Sequence, residues 1–162
     1  MSTKTTMHID PYERTWIWIS IGLIVVLFIA VSVAGFALGI QVPTLEQRVD
    51  PNTVADVGNW ADPGLRELAP GKYEVYILAQ TWQFIPDKIT VPVGSEVTFY
   101  VTSKDVQHGF KLQDTNINMM VIPGQVSKLS AIFDTPGTYN FICTEYCGNG
   151  HAIMYGTLIV EP

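Results

Sequence analysis

An apolar run of about 25 residues near the N-terminus places the strongest constraint on how this chain folds. Residues 16–40 are almost wholly apolar, and 15–45 contains no Asp, Glu, Lys or Arg. At a rise of about 1.5 Å per residue, a helix of this length extends about 37 Å, enough to cross a hydrocarbon core of about 30 Å with some tilt. Trp16 and Trp18 lie at its N-terminal edge, where indole rings favour the headgroup layer. We therefore expect a transmembrane anchor helix at 15–41.

A cleaved secretory signal is the main alternative for this run, because the small residues around 37–39 imitate a cleavage site. The apolar core of such a signal is usually about 7–15 residues long. The run at 16–40 exceeds that length. We therefore expect the helix to remain attached as a single-pass anchor.

Basic residues on either side of the anchor indicate its orientation. Lys4 and Arg14 precede it, whereas only Arg48 follows it closely. Lys and Arg are enriched on the cytoplasmic side of a membrane helix. We therefore predict a cytoplasmic tail at 1–14 and a plasma (inner) membrane location, with the rest of the chain on the outer, periplasmic face.

Acidic residues dominate the part of the chain beyond the anchor. The protein holds 15 Asp and Glu against 9 Lys and Arg, a net charge of −6, and the first 40 residues carry only two of each kind. An acidic surface repels a phosphate backbone. We therefore expect no nucleic-acid partner.

The amino-acid pattern of the extramembrane part changes at residue 73. Residues 42–72 are interrupted repeatedly by Pro and Gly, which predicts a linker. Short runs of β-branched and aromatic residues follow, separated by turn formers. The candidate strands are 72–81, 88–91, 96–103, 109–112, 118–122, 127–133, 137–142 and 156–161. Short strands with no helical period between them predict an all-β antiparallel sandwich or barrel at 73–162.

Two cysteines four residues apart stand near the C-terminus, and an imidazole and a thioether follow them: Cys143, Cys147, His151 and Met154. On the cysteines alone a disulfide stays open, because thiols outside the cytoplasm tend to oxidise. Such a bridge would close a very small loop and restrict the unfolded chain little. The imidazole and thioether favour metal binding instead, since soft sulfur beside imidazole suits redox copper.

One further histidine, His108, lies upstream in a His-Gly-Phe context and completes a set of two Cys, two His and one Met. Structural zinc gains nothing from a thioether. A single blue copper takes two His, one Cys and a weak axial Met, which leaves one cysteine unused. Two coppers bridged by both thiolates use every side chain of the set, and this is the interpretation we favour.

The pattern Cys-x3-Cys-x3-His-x2-Met with an upstream His resembles the dinuclear copper (CuA) domain of cytochrome c oxidase subunit II, and the resemblance extends over 46–160. The segments 48–51, 115–118 and 123–127, together with the single anchor helix, are similar to subunit II of the B-family haem-copper oxidases. The resemblance implies a cupredoxin-like fold for 73–162.

The same resemblance implies a ligand set. The implied ligands are the bridging thiolates Cys143 and Cys147, the terminal imidazoles His108 and His151, and two weak donors, the Met154 thioether and the Glu145 backbone carbonyl. Soft bridges between fixed ends keep the geometry constant between oxidation states. Constant geometry favours fast electron transfer.

Two more residues have a role implied by the resemblance and a plainer structural explanation beside it. The Glu145 side chain matches a glutamate that helps to hold Mg²⁺ at the contact with subunit I in A-family enzymes, or it is an exposed loop carboxylate. Trp82 lies where A-family proteins have paired tryptophans at the point of electron uptake, or it packs in the core or at an interface.

The resemblance implies that this chain is subunit II of a haem-copper terminal oxidase, an oxidoreductase complex. Electrons from cytochrome c or a small copper protein would reach the copper pair and then haem in a multi-span subunit I, where oxygen is reduced to water. Haem is expected in that partner only, because this chain has no Cys-x-x-Cys-His. The alternatives are a CuA subunit of a membrane nitric oxide reductase and a membrane-tethered copper-delivery protein.

Overall fold

The computed structural model describes residues 10–162 and begins with one long helix, α1 (Pro11–Phe36). Asp10 caps it by accepting a hydrogen bond from the Tyr12 backbone N–H at 2.8 Å, and Pro11 fits the first turn, where no N–H is needed. None of the helix residues is buried within the protein, and the mean hydropathy is 2.8. Among the described residues this is the one helix long and apolar enough to cross a bilayer.

The helix begins and ends a few residues before the expected range of 15–41. Its first turn contains Glu13 and Arg14, polar residues that hydropathy alone assigns to the tail but that an N-cap brings into the helix. Part of the predicted cytoplasmic tail, 1–9, lies outside the described residues.

A second unit, Gln41–Pro162, is built from eleven strands in two sheets. The strands are β1 (Thr44–Arg48), β2 (Gly64–Ala69), β3 (Lys72–Gln80), β4 (Gln83–Ile85), β5 (Lys88–Pro92), β6 (Ser95–Ser103), β7 (His108–Leu112), β8 (Asn118–Val121), β9 (Gln125–Phe133), β10 (Gly137–Ile142) and β11 (Tyr155–Glu161). One sheet has the order β1-β9-β6-β3-β2, with β4 also on β3, and the other has the order β5-β11-β10-β7-β8. The predicted β-sandwich with one N-terminal helix is confirmed.

The sheets are mixed, whereas the sequence favoured wholly antiparallel pairing. β3 runs parallel to β6, and β5 runs parallel to β11; the other pairs are antiparallel. Alternation of apolar and polar residues indicates which face of a strand is buried and carries no information on direction. The parallel pairs arise because the chain leaves one sheet and returns to it between neighbouring strands.

The core lies between the inward faces of the two sheets. In β6 alternate residues such as Val97, Phe99 and Val101 are fully buried. The rings of Phe110 and Phe141 stack with their centroids 5.1 Å apart. Phe110 lies two residues after His108, and Phe141 lies two residues before Cys143. Burial of each such side chain contributes about 1.5–3 kcal/mol. The packed aromatic layer therefore fixes the strands from which the ligands project.

The segment 42–72, predicted to be a linker, is part of the sandwich. β1 pairs with β9, and β2 pairs with β3. Val54 and Trp60 are buried on the outer face of the first sheet, where Trp60 meets the Tyr76 ring edge-on at 5.5 Å. The prediction missed these strands because all five residues of β1 are exposed, so the sequence shows no alternation there. Pro and Gly mark the turns between them.

Candidate metal centre

Three strands of the second sheet bring the predicted ligands together. β10 pairs with β7 on one side and with β11 on the other. His108 is the first residue of β7, and the loop that carries the remaining ligands joins β10 to β11. The Cys143 backbone N–H donates to the Met154 carbonyl at 3.1 Å, which closes the neck of this loop. Residues 143–154, named here the ligand loop, thus stand next to His108.

The two thiols and two imidazoles form a row within this neighbourhood. The Sγ atoms of Cys143 and Cys147 are 3.8 Å apart. His108 Nδ1 lies 3.8 Å from Cys143 Sγ, and His151 Nδ1 lies 3.7 Å from Cys147 Sγ. Both cysteines are free, and their separation is well above the S–S bond length of about 2.05 Å. The structure therefore contains two free thiols and not the disulfide that the cysteines alone had left open.

Each thiol also has one weaker donor beside it. Met154 Sδ is 3.7 Å from Cys147 Sγ, and the Glu145 carbonyl oxygen is 3.2 Å from Cys143 Sγ. The structure therefore brings together all six predicted donors, in two similar halves that meet at the sulfur pair. Glu145 takes part through its backbone, and its half-buried side chain is a separate group.

Most of the donors are buried, and burial opposes ionisation of the Cys147 thiol while no cation is bound. Cys143 and Cys147 are 7% and 6% exposed, and His108 is fully buried. Burial, together with the hydrogen bond and charge of Cys143, raises the pKa of the Cys147 thiol to about 11. A bound cation stabilises the thiolate and reverses this preference. Two soft sulfurs, two imidazoles and a thioether are the donor set that copper prefers, so these residues fit a copper centre.

Comparison with known proteins agrees with this donor set. The sequence profile of the cytochrome C oxidase subunit II periplasmic domain matches residues 73–161, more than half of the chain. The chain belongs to the cytochrome c oxidase subunit II family. Cytochrome c oxidase subunit 2 of Thermus thermophilus is 42% identical to it over 162 residues, covering 98% of this chain and 96% of the relative.

Solved structures extend the similarity to the fold. A chain of a heme-copper terminal oxidase dimer, determined by cryo-EM, superposes with a TM-score of 0.75 and 36% identity, covering 93% of this chain and 99% of that chain. The periplasmic domain of subunit II (CoxB) of Bradyrhizobium japonicum gives a TM-score of 0.50 at 21% identity over 54% of this chain and 82% of that chain. The latter likeness supports the cupredoxin-like fold.

A carboxylate behind one imidazole of this chain was not predicted. Asp105 Oδ1 lies 2.9 Å from His108 Nε2. Burial raises the pKa of Asp105, but hydrogen bonds from His108, Thr81 and Val106 outweigh it and lower the pKa to about 2. The ionised carboxylate accepts a hydrogen bond from Nε2, and Nδ1 is the ring nitrogen that faces the thiols. The Asp-x-x-His spacing in the sequence is the signal that would have indicated this pair.

Trp82 reaches the ligand loop through its indole nitrogen. Nε1 donates a hydrogen bond to the Cys147 carbonyl at 3.1 Å, while the side chain remains 45% exposed. The indole ring also covers Gly150, where an added Cβ would lie 2.5 Å from two ring atoms. Trp82 is therefore neither a core residue nor a free surface residue, because it packs on the loop that carries the ligands.

Gly109 allows the two ligand-bearing segments to approach each other. A Cβ at this position would collide with the Thr144 hydroxyl and would lie 3.0 Å and 3.1 Å from the backbone nitrogens of Thr144 and Glu145. A residue with a side chain would thus push the ligand loop away from His108. Sequence analysis missed this requirement, because the contact joins segments that are distant along the chain.

Proposed function

We propose that this chain is the electron-accepting subunit of a haem-copper terminal oxidase and that it holds a dinuclear copper centre. One observation carries the proposal: two buried, free thiols lie 3.8 Å apart, and each has an imidazole nitrogen and a weak donor beside it. The residues that would hold the metal are His108, Cys143, Cys147, His151 and Met154, with the backbone carbonyl of Glu145.

A bound copper pair would supply one-electron redox chemistry at this position. The protein residues have separate tasks around it. Cys143 and Cys147 would supply the two sulfur ligands, 3.8 Å apart, and His108 and His151 would supply an imidazole at either end of the row. Most of these donors are buried on a packed sandwich. A site that is fixed before and after electron transfer needs little reorganisation, which favours rapid transfer. Buried donors also disfavour the copper-delivery alternative, which needs exchangeable metal.

The electron donor would dock beside Trp82. An open groove lined by residues of β4, β5 and β11 lies there, with Ile153 and Tyr155 among its exposed walls. The Trp82 ring is exposed on one side, and its N–H is bound to the carbonyl of a thiol ligand on the other. Exposed apolar side chains suit a transient contact with a cytochrome c or a small copper protein. This arrangement supports electron uptake at Trp82.

The membrane partner would be a multi-span subunit I that holds the haem and reduces oxygen. α1 is a single apolar helix, consistent with a single-pass protein anchored beside such a partner. We place the N-terminus in the cytoplasm and the sandwich on the outer face of the inner membrane, because Lys4 and Arg14 precede the apolar run. The segments 48–51, 115–118 and 123–127 favour the B family.

A magnesium ion bound to the Glu145 carboxylate would take its other ligands from water and from a partner subunit. Among the described residues, the one cluster of three His, Cys, Asp or Glu ligands contains His108, Cys143 and Cys147, and Glu145 is not part of it. Mg²⁺ prefers six oxygen ligands. The Glu145 side chain would therefore bind it only together with water and oxygen donors of subunit I.

Paramagnetic resonance of the copper-loaded full chain in detergent tests the proposal. One unpaired electron shared by two equivalent copper nuclei gives hyperfine splitting from both nuclei, whereas a single copper gives splitting from one. We expect the former, and we expect Cys147→Ser to abolish it. Splitting from one nucleus in the unmodified chain would contradict the dinuclear centre. Purification of a haem-containing subunit together with the tagged chain tests the oxidase assignment separately.

A further inference from the structure

The turn between β3 and β4 connects the two segments that carry the metal ligands. The Thr81 backbone N–H donates to Asp105 Oδ2 at 2.6 Å, and Asp105 Oδ1 holds His108 at 2.9 Å. The next residue, Trp82, donates from its indole to the Cys147 carbonyl at 3.1 Å. Two consecutive residues therefore link His108, from β7, to Cys147, from the ligand loop.

Asp105 is itself fixed at several points. Its Oδ1 also accepts from the Val106 backbone N–H at 2.6 Å. Its Oδ2 is bound to Thr81. With both oxygens engaged, the carboxylate has little freedom to rotate. His108 is therefore held in place by a group that the β3–β4 turn in turn holds.

The other side of the turn restrains the ligand loop by packing as well as by hydrogen bonding. The Trp82 ring lies so close to Gly150 that no Cβ fits between them. Beyond the bond at its neck, the backbone bonds of the loop are all short-range: His151 N–H donates to the Gly148 carbonyl at 3.0 Å, Ile153 N–H to the Gly150 carbonyl at 3.1 Å and Met154 N–H to the His151 carbonyl at 3.2 Å. None of these three bonds involves Cys147, so the shape of the loop around this residue depends on external support.

We infer that Thr81, Trp82 and Asp105 form a brace that sets the relative positions of His108 and Cys147 before any metal binds. Trp82 and Asp105 are positioning residues in this arrangement. The functional value of the brace rests on the proposed copper centre. The restraint itself is a property of the metal-free protein and can be measured there. The brace restrains His108 through a carboxylate and the Cys147 half of the row through the indole, and the half-buried His151 has no carboxylate partner among the described residues.

The brace differs from electron uptake at Trp82 in what it changes. If Trp82 only conducted electrons, replacement of the indole by another aromatic ring would alter the transfer rate and leave the site as it was. If Trp82 is part of a brace, loss of its N–H loosens the ligand loop in the metal-free chain. The same must hold for Asp105, which acts on the ligand loop through His108 and through the turn that holds Trp82.

Hydrogen exchange of the full-length, metal-free chain in detergent separates these roles. The variants are Trp82→Phe, which keeps a ring and removes the N–H, and Asp105→Asn, which keeps the shape and removes the charge. The matched controls are Trp60→Phe, whose N–H has no hydrogen-bond partner among residues 10–162, and Asp134→Asn on an exposed turn. The readout is exchange at the amides of His151 and Ile153, which are bonded within the loop.

We expect both variants, and neither control, to speed exchange at these two amides by about two- to tenfold, the range for loss of one hydrogen bond. After copper loading, both variants should shift the reduction potential and the hyperfine pattern, because His108 and Cys147 no longer hold their spacing. Unchanged exchange rates at both amides in either variant would overturn the inference. Absence of a two-copper signal in the unmodified chain would instead overturn the proposed function, and the exchange result would still decide the brace.

Discussion

At the scale of single residues, the two ends of the proposed copper centre are held differently. His108 is fully buried and bonded to Asp105, whereas His151 is half-buried and lies 6.0 Å from the exposed Tyr146 ring. The thioether of Met154 contacts Cys147, and the Met154 side chain is 2% exposed within the main core. Replacement by an apolar side chain of similar volume should therefore act on the metal with little effect on the fold.

We expect Met154→Leu to raise the reduction potential of the copper-loaded chain and to weaken copper binding. The thioether donates electron density, which stabilises the more positive oxidised state, and leucine has no donor. The metal-free fold should lose less than about 1.5 kcal/mol, because the two side chains have similar volume. Met120→Leu, at a methionine that is 45% exposed, is the control. Voltammetry of both variants checks this, and equal potentials would exclude Met154 as a ligand.

Gly109 is the second residue at which a small change should have a large effect. We expect Gly109→Ala to destabilise the chain by about 1–3 kcal/mol, the usual cost of overpacking, and to reduce copper uptake. The added Cβ meets Thr144 and displaces the ligand loop from His108. Gly64→Ala, where nothing lies within 4 Å, is the control. Thermal melting and copper titration measure both effects; a variant that takes up copper normally would show that the loop can move.

Ligand chemistry was predictable from the sequence because it resides in side-chain types and local spacing. Cys143, Cys147, His151 and Met154 are neighbours along the chain, so their grouping needed no fold. Asp105 is distinguishable from other surface carboxylates only once its hydrogen bonds are seen. The close approaches at Gly109 and Gly150 depend on tertiary contacts and leave no local pattern.

At the scale of elements, β10 organises the site. It lies between β7 and β11, and its end opens directly into the ligand loop. The strands with one buried and one outward face were predicted with nearly correct bounds, because their alternation records burial. β1, β2 and β4 were not separated from their surroundings. β1 is wholly exposed, and β4 has only three residues, so neither gives a periodic signal.

The segment between β1 and β2 covers the outer face of the first sheet, and Trp60 anchors it. Arg66 lies 4.8 Å above the Tyr76 ring and donates to the carbonyls of Asn59 and Asp62, which holds the segment over the sheet. Trp60 is the largest side chain of this cluster and is almost wholly buried. The cluster is distinct from the main core, which contains the two cysteines.

We expect Trp60→Ala to lower the free energy of unfolding by about 3–5 kcal/mol, as for other buried aromatic residues. Val57→Ala, at a residue that is 54% exposed in the same segment, should change it by less than about 0.5 kcal/mol. The copper spectrum of folded Trp60→Ala should equal that of the unmodified chain, because the two clusters are separate. Denaturant unfolding measures the first effect. A loss below about 1 kcal/mol, in a chain whose segment 49–60 stays protected from protease, would contradict it.

At the scale of the whole molecule, the chain consists of a helix with no buried residue and a β unit with its own core. Every proposed metal ligand and both positioning residues lie in Gln41–Pro162. The helix is needed to explain attachment to a membrane, and the sandwich is needed to explain the metal site. These two functions are therefore separable in principle.

Removal of residues 1–40 tests that separation. We expect the shortened chain, beginning at Gln41, to fold in aqueous buffer and to give the same copper spectrum as the full chain. The reason is that every residue of the aromatic core lies within Gln41–Pro162. In detergent phase partition the full chain should enter the detergent-rich phase, and the shortened chain should stay in water. Replacement of four apolar residues of α1 by Lys, which keeps the length, is the control for the partition and should also release the chain. A shortened chain that aggregates, or that binds copper with a different spectrum, would show that the anchor supports the site and that the two units are not independent.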